Sequence, residues 1–133
     1  MTMSSSNASA VVDASAVIQA LLKRTLREIQ DGRSLHAPSL IDIEVLHVLR
    51  RMSLGGVLDE VRASEAVLDF ADLRMDRFPH EGLIPRIWTL RNNFTAYDAA
   101  YVALAELLES PLITCDAHLA RAAAKFIAVQ LVR

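Results

Sequence analysis

At 133 residues, with 53% apolar and 23% charged residues, the chain is long enough to fold as one domain around a real core. Its net charge of −2 is not the footprint of a strongly basic nucleic-acid binder, although the balance turns positive if a metal neutralises four of its acids. A lone cysteine excludes an internal disulfide, no apolar run reaches the ~18 residues that cross a bilayer, and the serine-rich start lacks the order of a secretory signal, so a reducing cytoplasm is the expected setting.

Residues 1–8 read as a polar, disordered tail, and residues 9–133 as a single domain. Aromatic residues make up 5% of the chain, so Ala, Leu, Val and Ile must build the core. Ala10 to Asp13 is short and apolar, which predicts a buried strand. From Ser15 to about Gln30, Val17, Ile18, Leu21, Leu22, Leu26 and Ile29 recur at helical spacing, and Asp31-Gly32 ends that helix. Ser34 to Ala37 is a brief strand. Pro38-Ser39 opens a helix to Arg50-Arg51, buried through Leu40, Ile43, Leu46 and Leu49 or their neighbours. Gly55-Gly56 is the clearest break.

Arg62 to Leu73 is amphipathic and helical. Met75 to Phe78 reads as an edge strand limited by Pro79, and Gly82 to Arg91 as a short helix carrying Trp88. Thr95 to Leu108 is a strongly apolar helix, broken by Ser110-Pro111. Leu112 to Cys115 is a second central strand, Asp116 to Ala124 a helix, and Ile127 to Val132 a closing strand. Strands alternating with helices imply an α/β fold with a mainly parallel sheet.

Four acids stand at the transitions. Asp13 ends the first strand, Glu44 lies in the early turns after Pro38-Ser39, Asp98 follows Thr95 by three, and Asp116 closes the second central strand. Singly, each is explained as a helix cap or first-turn acid, and Thr95 with Asp98 has the spacing of a capping box. As a set they converge, because strand ends of an α/β sheet share one rim. Four bare carboxylates there repel, and a divalent cation relieves them. Hard ions such as Mg²⁺ take oxygen donors and accompany phosphate chemistry. The pattern therefore predicts a metal-dependent phosphodiesterase. Asp13 and Asp116 are the expected direct ligands, Asp98 binds the same or a second ion, and Glu44 acts through water. Ser15 and Thr114 are supporting candidates. His47, three residues after Glu44 on the same helix face, reads as a partly buried polar residue rather than a ligand.

Val11-Val12-Asp13-Ala14-Ser15-Ala16 resembles the opening of a PIN domain. Pro38 to Arg51, around Glu44, resembles its second motif. Thr95-Ala96-Tyr97-Asp98-Ala99-Ala100-Tyr101-Val102-Ala103-Leu104-Ala105 is the most specific match, and Leu112 to Ala123 resembles the fourth motif. The resemblance runs from about Ala10 to the C-terminus and points to the VapC-type toxins of toxin–antitoxin pairs. His47 departs from the asparagine that many of them carry. The resemblance implies a PIN-like fold and an endoribonuclease dependent on Mg²⁺, with Mn²⁺ as a substitute, that blocks translation. Its implied metal-binding acids are Asp13, Glu44, Asp98 and Asp116, with Ser15 and Thr114 as supporting polar groups. It further implies a VapB-type antitoxin that occludes the site, and a homodimer, but fixes no RNA target; a single-stranded rRNA or tRNA loop is the expected substrate because its bases are accessible. A non-catalytic PIN-fold interaction module, or a metal-binding regulatory one, is the alternative.

Overall fold

The computed structural model describes residues 8–133. The expected tail, apart from Ala8, lies outside the described residues. The elements are β1 (Ser9–Val12), α1 (Ala14–Lys23), α2 (Leu26–Gln30), β2 (Ser34–Pro38), α3 (Ile41–Leu54), α4 (Glu60–Asp72), β3 (Asp76–Phe78), α5 (Ile84–Thr89), α6 (Ala96–Leu108), β4 (Leu112–Thr114), α7 (Ala117–Ala123) and β5 (Val129–Leu131).

The five strands form one sheet in the order β3-β2-β1-β4-β5, and every neighbouring pair is parallel. Val11 of β1 stands between His36 of β2 and Leu112 of β4. Parallel strands covered on both faces carry continuous apolar runs. Ala10, Val11, Val12, Leu112 and Ile113 accordingly have no exposed surface. The chain first builds outward from β1 through β2 to β3. It then crosses back, by α5 and α6, to place β4 on the other side of β1. The direction of winding thus reverses between β1 and β4. At such a reversal the two connections leave in opposite directions and open a crevice at the C-terminal strand ends.

Three expectations are corrected. The helix expected from Ser15 to Gln30 is two helices. Arg24 takes a left-handed conformation (φ 57°) and caps α1, its N–H reaching Ala20 O and Leu21 O. The Arg62 guanidinium of α4 also donates to Leu21 O at 2.7 Å. A partner from another element therefore satisfies the end of α1, a device that apolar spacing within the segment does not reveal. Helix α3 buries Ile41, Val45 and Leu49, whereas Ile43 and Leu46 are exposed. Both sets recur at helical spacing, so periodicity alone left the buried face ambiguous. The expected helix from Gly82 to Arg91 is shorter, a 3₁₀ turn over Glu81–Leu83 followed by α5 with Pro85 in its first turn.

Candidate active site

The end of β1 and the end of β4 are tied together by hydroxyls. Asp13 caps α1, its Oδ1 accepting from Ala16 N at 3.0 Å and from Ser15 Oγ at 2.7 Å. Its Oδ2 accepts from Thr114 Oγ1 at 2.6 Å. Thr114 is fully buried, and its hydroxyl also accepts from Asp116 N at 3.0 Å. Ser15 Oγ lies 3.2 Å from Thr114 Oγ1 and accepts from Cys115 N at 3.0 Å. Ser15 is therefore a bridge between the two strand ends rather than the cap of α1. The actual cap is Asp13. Asp116 is the cap of α7, its Oδ1 accepting from Leu119 N at 3.0 Å. The capping role leaves Oδ2 of Asp116 free for the rim, whereas both oxygens of Asp13 already accept hydrogen bonds and only Oδ2, with a single donor, keeps a lone pair to offer.

Asp98 lies in the first turn of α6. Thr95 Oγ1 caps that helix by accepting from Asp98 N at 3.1 Å. The reciprocal half of a capping box is absent: among the described residues the Asp98 carboxylate accepts no hydrogen bond. Glu44, half-buried on α3, accepts at 2.5 Å from the hydroxyl of Tyr101, one turn along α6 from Asp98. Tyr101 is almost fully buried. Sequence reasoning included it in a motif but assigned it no role. Its polar tip on an otherwise apolar helix was the available signal, since a buried tyrosine hydroxyl needs a partner.

Electrostatics brings the four acids into one group. Burial raises the pKa of Asp13 above the usual carboxylate range, opposed by its bonds from Thr114, Ala16 and Ser15, and the Asp116 charge adds to the rise. Burial also raises Glu44, opposed by the Tyr101 hydroxyl and reinforced by the charges of Asp13 and Asp98. Asp98 is raised by burial and then by Asp116 and Asp13, while His118 acts in the opposite direction. Asp13, Glu44 and Asp98 thus each feel at least one other acid. The free oxygens are both of Asp98, Oε2 of Glu44 and Oδ2 of Asp116. An all-carboxylate set in which the charges of Asp13, Asp98 and Asp116 raise the pKa values of neighbouring acids is chemically suited to a hard divalent cation. Among the described residues no three His, Cys, Asp or Glu side chains are already drawn into a metal-holding group. The fit lies in donor chemistry and mutual repulsion, not in a preformed cage.

A family model described as the PIN domain matches residues 10–125. The chain belongs to the PIN-domain family. This PIN domain is 42% identical over 129 residues to ribonuclease VapC1 of Mycobacterium tuberculosis, covering 92% of the chain and 97% of that relative. It is also 42% identical over 110 residues to VapC ribonuclease Mb0985 of Mycobacterium bovis, covering 82% and 87%. The crystal structure of PAE2754 from Pyrobaculum aerophilum superimposes with a TM-score of 0.73 at 21% identity, over 93% of this PIN domain and 83% of that chain. A member of the VapBC family of toxin–antitoxin systems, VapBC-5 of Mycobacterium tuberculosis, gives 0.58 at 21% identity over 95% and 98%. At that identity the two structures speak for the fold alone.

The remaining candidates disperse. His47 is exposed on α3 rather than partly buried, and His118 is exposed near Asp98. Among the basic residues, Arg24 pairs with Glu65 at 3.2 Å, and Arg91 stacks over Trp88 with 4.5 Å to the ring centroid. Arg27 lines a cavity at the other end of the sheet. Lys23, Arg50, Arg51 and Arg121 are exposed. Among the described residues, no helix is long and apolar enough to cross a membrane.

Proposed function

We propose that this protein is a metal-dependent endoribonuclease, the toxin of a toxin–antitoxin pair acting in the cytoplasm. One observation carries the reading. In a PIN domain whose relatives are named VapC ribonucleases, Asp13, Glu44 and Asp98 lie on three separate segments beside the β1–β4 crevice with raised pKa values, to which the charges of Asp116, Asp13 and Asp98 contribute. Asp13, Glu44, Asp98 and Asp116 hold Mg²⁺, or Mn²⁺ in its place. Bound there, the cation supplies an activated water near neutral pH and offsets charge on the scissile phosphate.

The protein's own groups prepare that chemistry. Ser15, Ala16 N and Thr114 fix both oxygens of Asp13, so the carboxylate is oriented before any ligand arrives. Tyr101 holds one oxygen of Glu44 and leaves the other to orient the attacking water. Asp98, with no hydrogen bond to lose, turns toward the incoming charge at little cost. Preorganised groups of this kind do not have to reorganise during reaction.

The partners follow from the surface. Ile43, Leu54, Val57, Val61 and Leu68, all on α3, α4 and the turn between them, are two-thirds or more exposed. Clusters of exposed apolar side chains mark protein interfaces. A VapB-type antitoxin is the proposed occupant of this face, a second copy of the chain that of the exposed Ile84 and Trp88 patch on α5, and an accessible RNA loop is the proposed substrate.

The second reading, a non-catalytic interaction module, draws on the missing preformed metal cage. Mn²⁺ titration followed by RNA cleavage separates the two. Metal uptake with cleavage is expected. Absence of uptake favours the module, and uptake without cleavage favours a regulator.

A further inference from the structure

At the opposite end of the sheet the chain reverses from α2 into β2 through Asp31 and Gly32, both in the left-handed region at φ 45° and 71°. The reversal sets Arg33 at the foot of β2, below Arg27 of α2. Because β2 and β3 are parallel neighbours, their N-terminal ends lie side by side, and Arg74 stands two residues before β3. The three arginines line one cavity of about 500 Å³, together with Ser34 and the buried Leu35 and Met75.

Like charges gathered at one cavity repel unless something anionic offsets them. Among the described residues, no carboxylate lies within ion-pair distance of Arg27, Arg33 or Arg74, although Arg24, Arg62, Arg77 and Arg86 all have such partners. One acid, Asp76, lines the cavity, and it faces His36 at 3.4 Å. Asp69 and Asp72 line an adjoining cleft with Arg27 and Arg74, so they moderate the field without pairing. Arg33 is held in place: its Nη1 donates to Gln130 Oε1 and its Nη2 to Ile29 O, each at 3.1 Å. Its Nε is buried without a partner among the described residues. A fixed guanidinium flanked by two unpaired exposed ones is an arrangement that recognises phosphate oxygens. The cavity is also within the size range of small-molecule sites.

We propose that this cavity binds a phosphate group, carried by a free nucleotide or by an RNA backbone, at a site separate from the acid rim. The test uses the full chain in EDTA, titrated with inorganic phosphate, with AMP and with a fully 2′-O-methylated RNA octamer, followed by amide NMR. Saturable shifts at residues 32–35 and 74–76 are expected with at least one probe. Tighter binding of AMP assigns the nucleotide as source, and tighter binding of the octamer assigns the backbone. Arg27 and Arg74 are exposed, so Arg27→Gln with Arg74→Gln leaves the fold intact, which an unchanged melting temperature checks. That double variant should weaken binding by on the order of a hundredfold, about tenfold per guanidinium, while Arg50→Gln on α3 changes nothing. Shifts confined to the acid rim, no saturation with any probe, or an affinity unchanged in the double variant would overturn the proposal.

Discussion

Replacing Asp98 by asparagine separates its two possible roles. The side chain keeps its size and loses its charge. The cap of α6 survives, because Thr95 bonds to the backbone N–H of residue 98 and not to its carboxylate. No side-chain hydrogen bond is lost, since the carboxylate accepts none among the described residues. What disappears is an anion disfavoured by burial and by the charges of Asp116 and Asp13. The group is only half-buried, so after solvent screening the relief amounts to about 0–1 kcal/mol. For a chain of this size that corresponds to a melting temperature unchanged or raised by roughly 3–4 °C. Cleavage should behave differently. A cation site that loses one of four carboxylates should lose at least about a hundredfold in rate. The paired assay is melting in EDTA and RNA cleavage in Mg²⁺. Wild-type cleavage would refute the metal role of Asp98, and a melting temperature lowered by several degrees would refute the account of a half-buried, repelled carboxylate.

Thr114→Val removes a buried hydroxyl that serves Asp13, Asp116 and Ser15 at once; a loss of about 2–4 kcal/mol in urea denaturation is expected, together with reduced cleavage. Tyr101→Phe should cost about 1–2 kcal/mol and shift the pKa of Glu44 further upward, since the hydroxyl now lowers it; NMR titration of the Glu44 carboxyl reads that direction. Asp13, Glu44 and Asp98 all have folded-state pKa values above their ordinary ones of 3.8, 4.5 and 3.8. The stability they contribute is fully present below those ordinary values and is lost as pH rises through the folded values. The melting temperature of metal-free protein should therefore carry a component that falls as pH rises above those ordinary values, and that fall should shrink when Mn²⁺ is added. Ile84 and Trp88, at 60% and 67% exposure, form the apolar patch expected at a two-fold interface; light scattering at micromolar concentration should return twice the chain mass.

The sheet was legible because its strands are short apolar runs bounded by turn residues, and parallel strands leave that trace. The rim was legible for a related reason. Asp13 and Asp116 directly follow the two strands with the clearest apolar signal, and strand ends in such a sheet meet on one side. Leu83 is buried while the nearby Ile84 and Trp88 are exposed, because the 3₁₀ turn before α5 points it inward, a local geometry that apolar composition does not reveal. The division of the first long helix was hidden, since Arg62 satisfies a terminal carbonyl of α1 from 41 residues away. Tyr101 and Glu44 share a bond across 57 residues, and no local pattern announces it. What the sequence missed consists mostly of long-range polar contacts, which leave no periodic signature.

The bond between Thr114 and Asp13 spans 101 residues. Central strands β1 and β4 become neighbours only after nearly the whole chain exists, so the defining contact of the rim has close to the greatest sequence separation this chain permits. Contacts of that kind form late, after the entropy of closing a long loop has been overcome. A chain emerging from the ribosome consequently carries Asp13, Glu44 and Asp98 for some time before Thr114 and Asp116 arrive to join them. Until then the first carboxylate lacks its hydroxyl donor and β1 lacks one of its flanking strands. Synthesis itself thereby imposes a delay between making most of the protein and assembling its acid rim, and a chain released early, before β4, never assembles it.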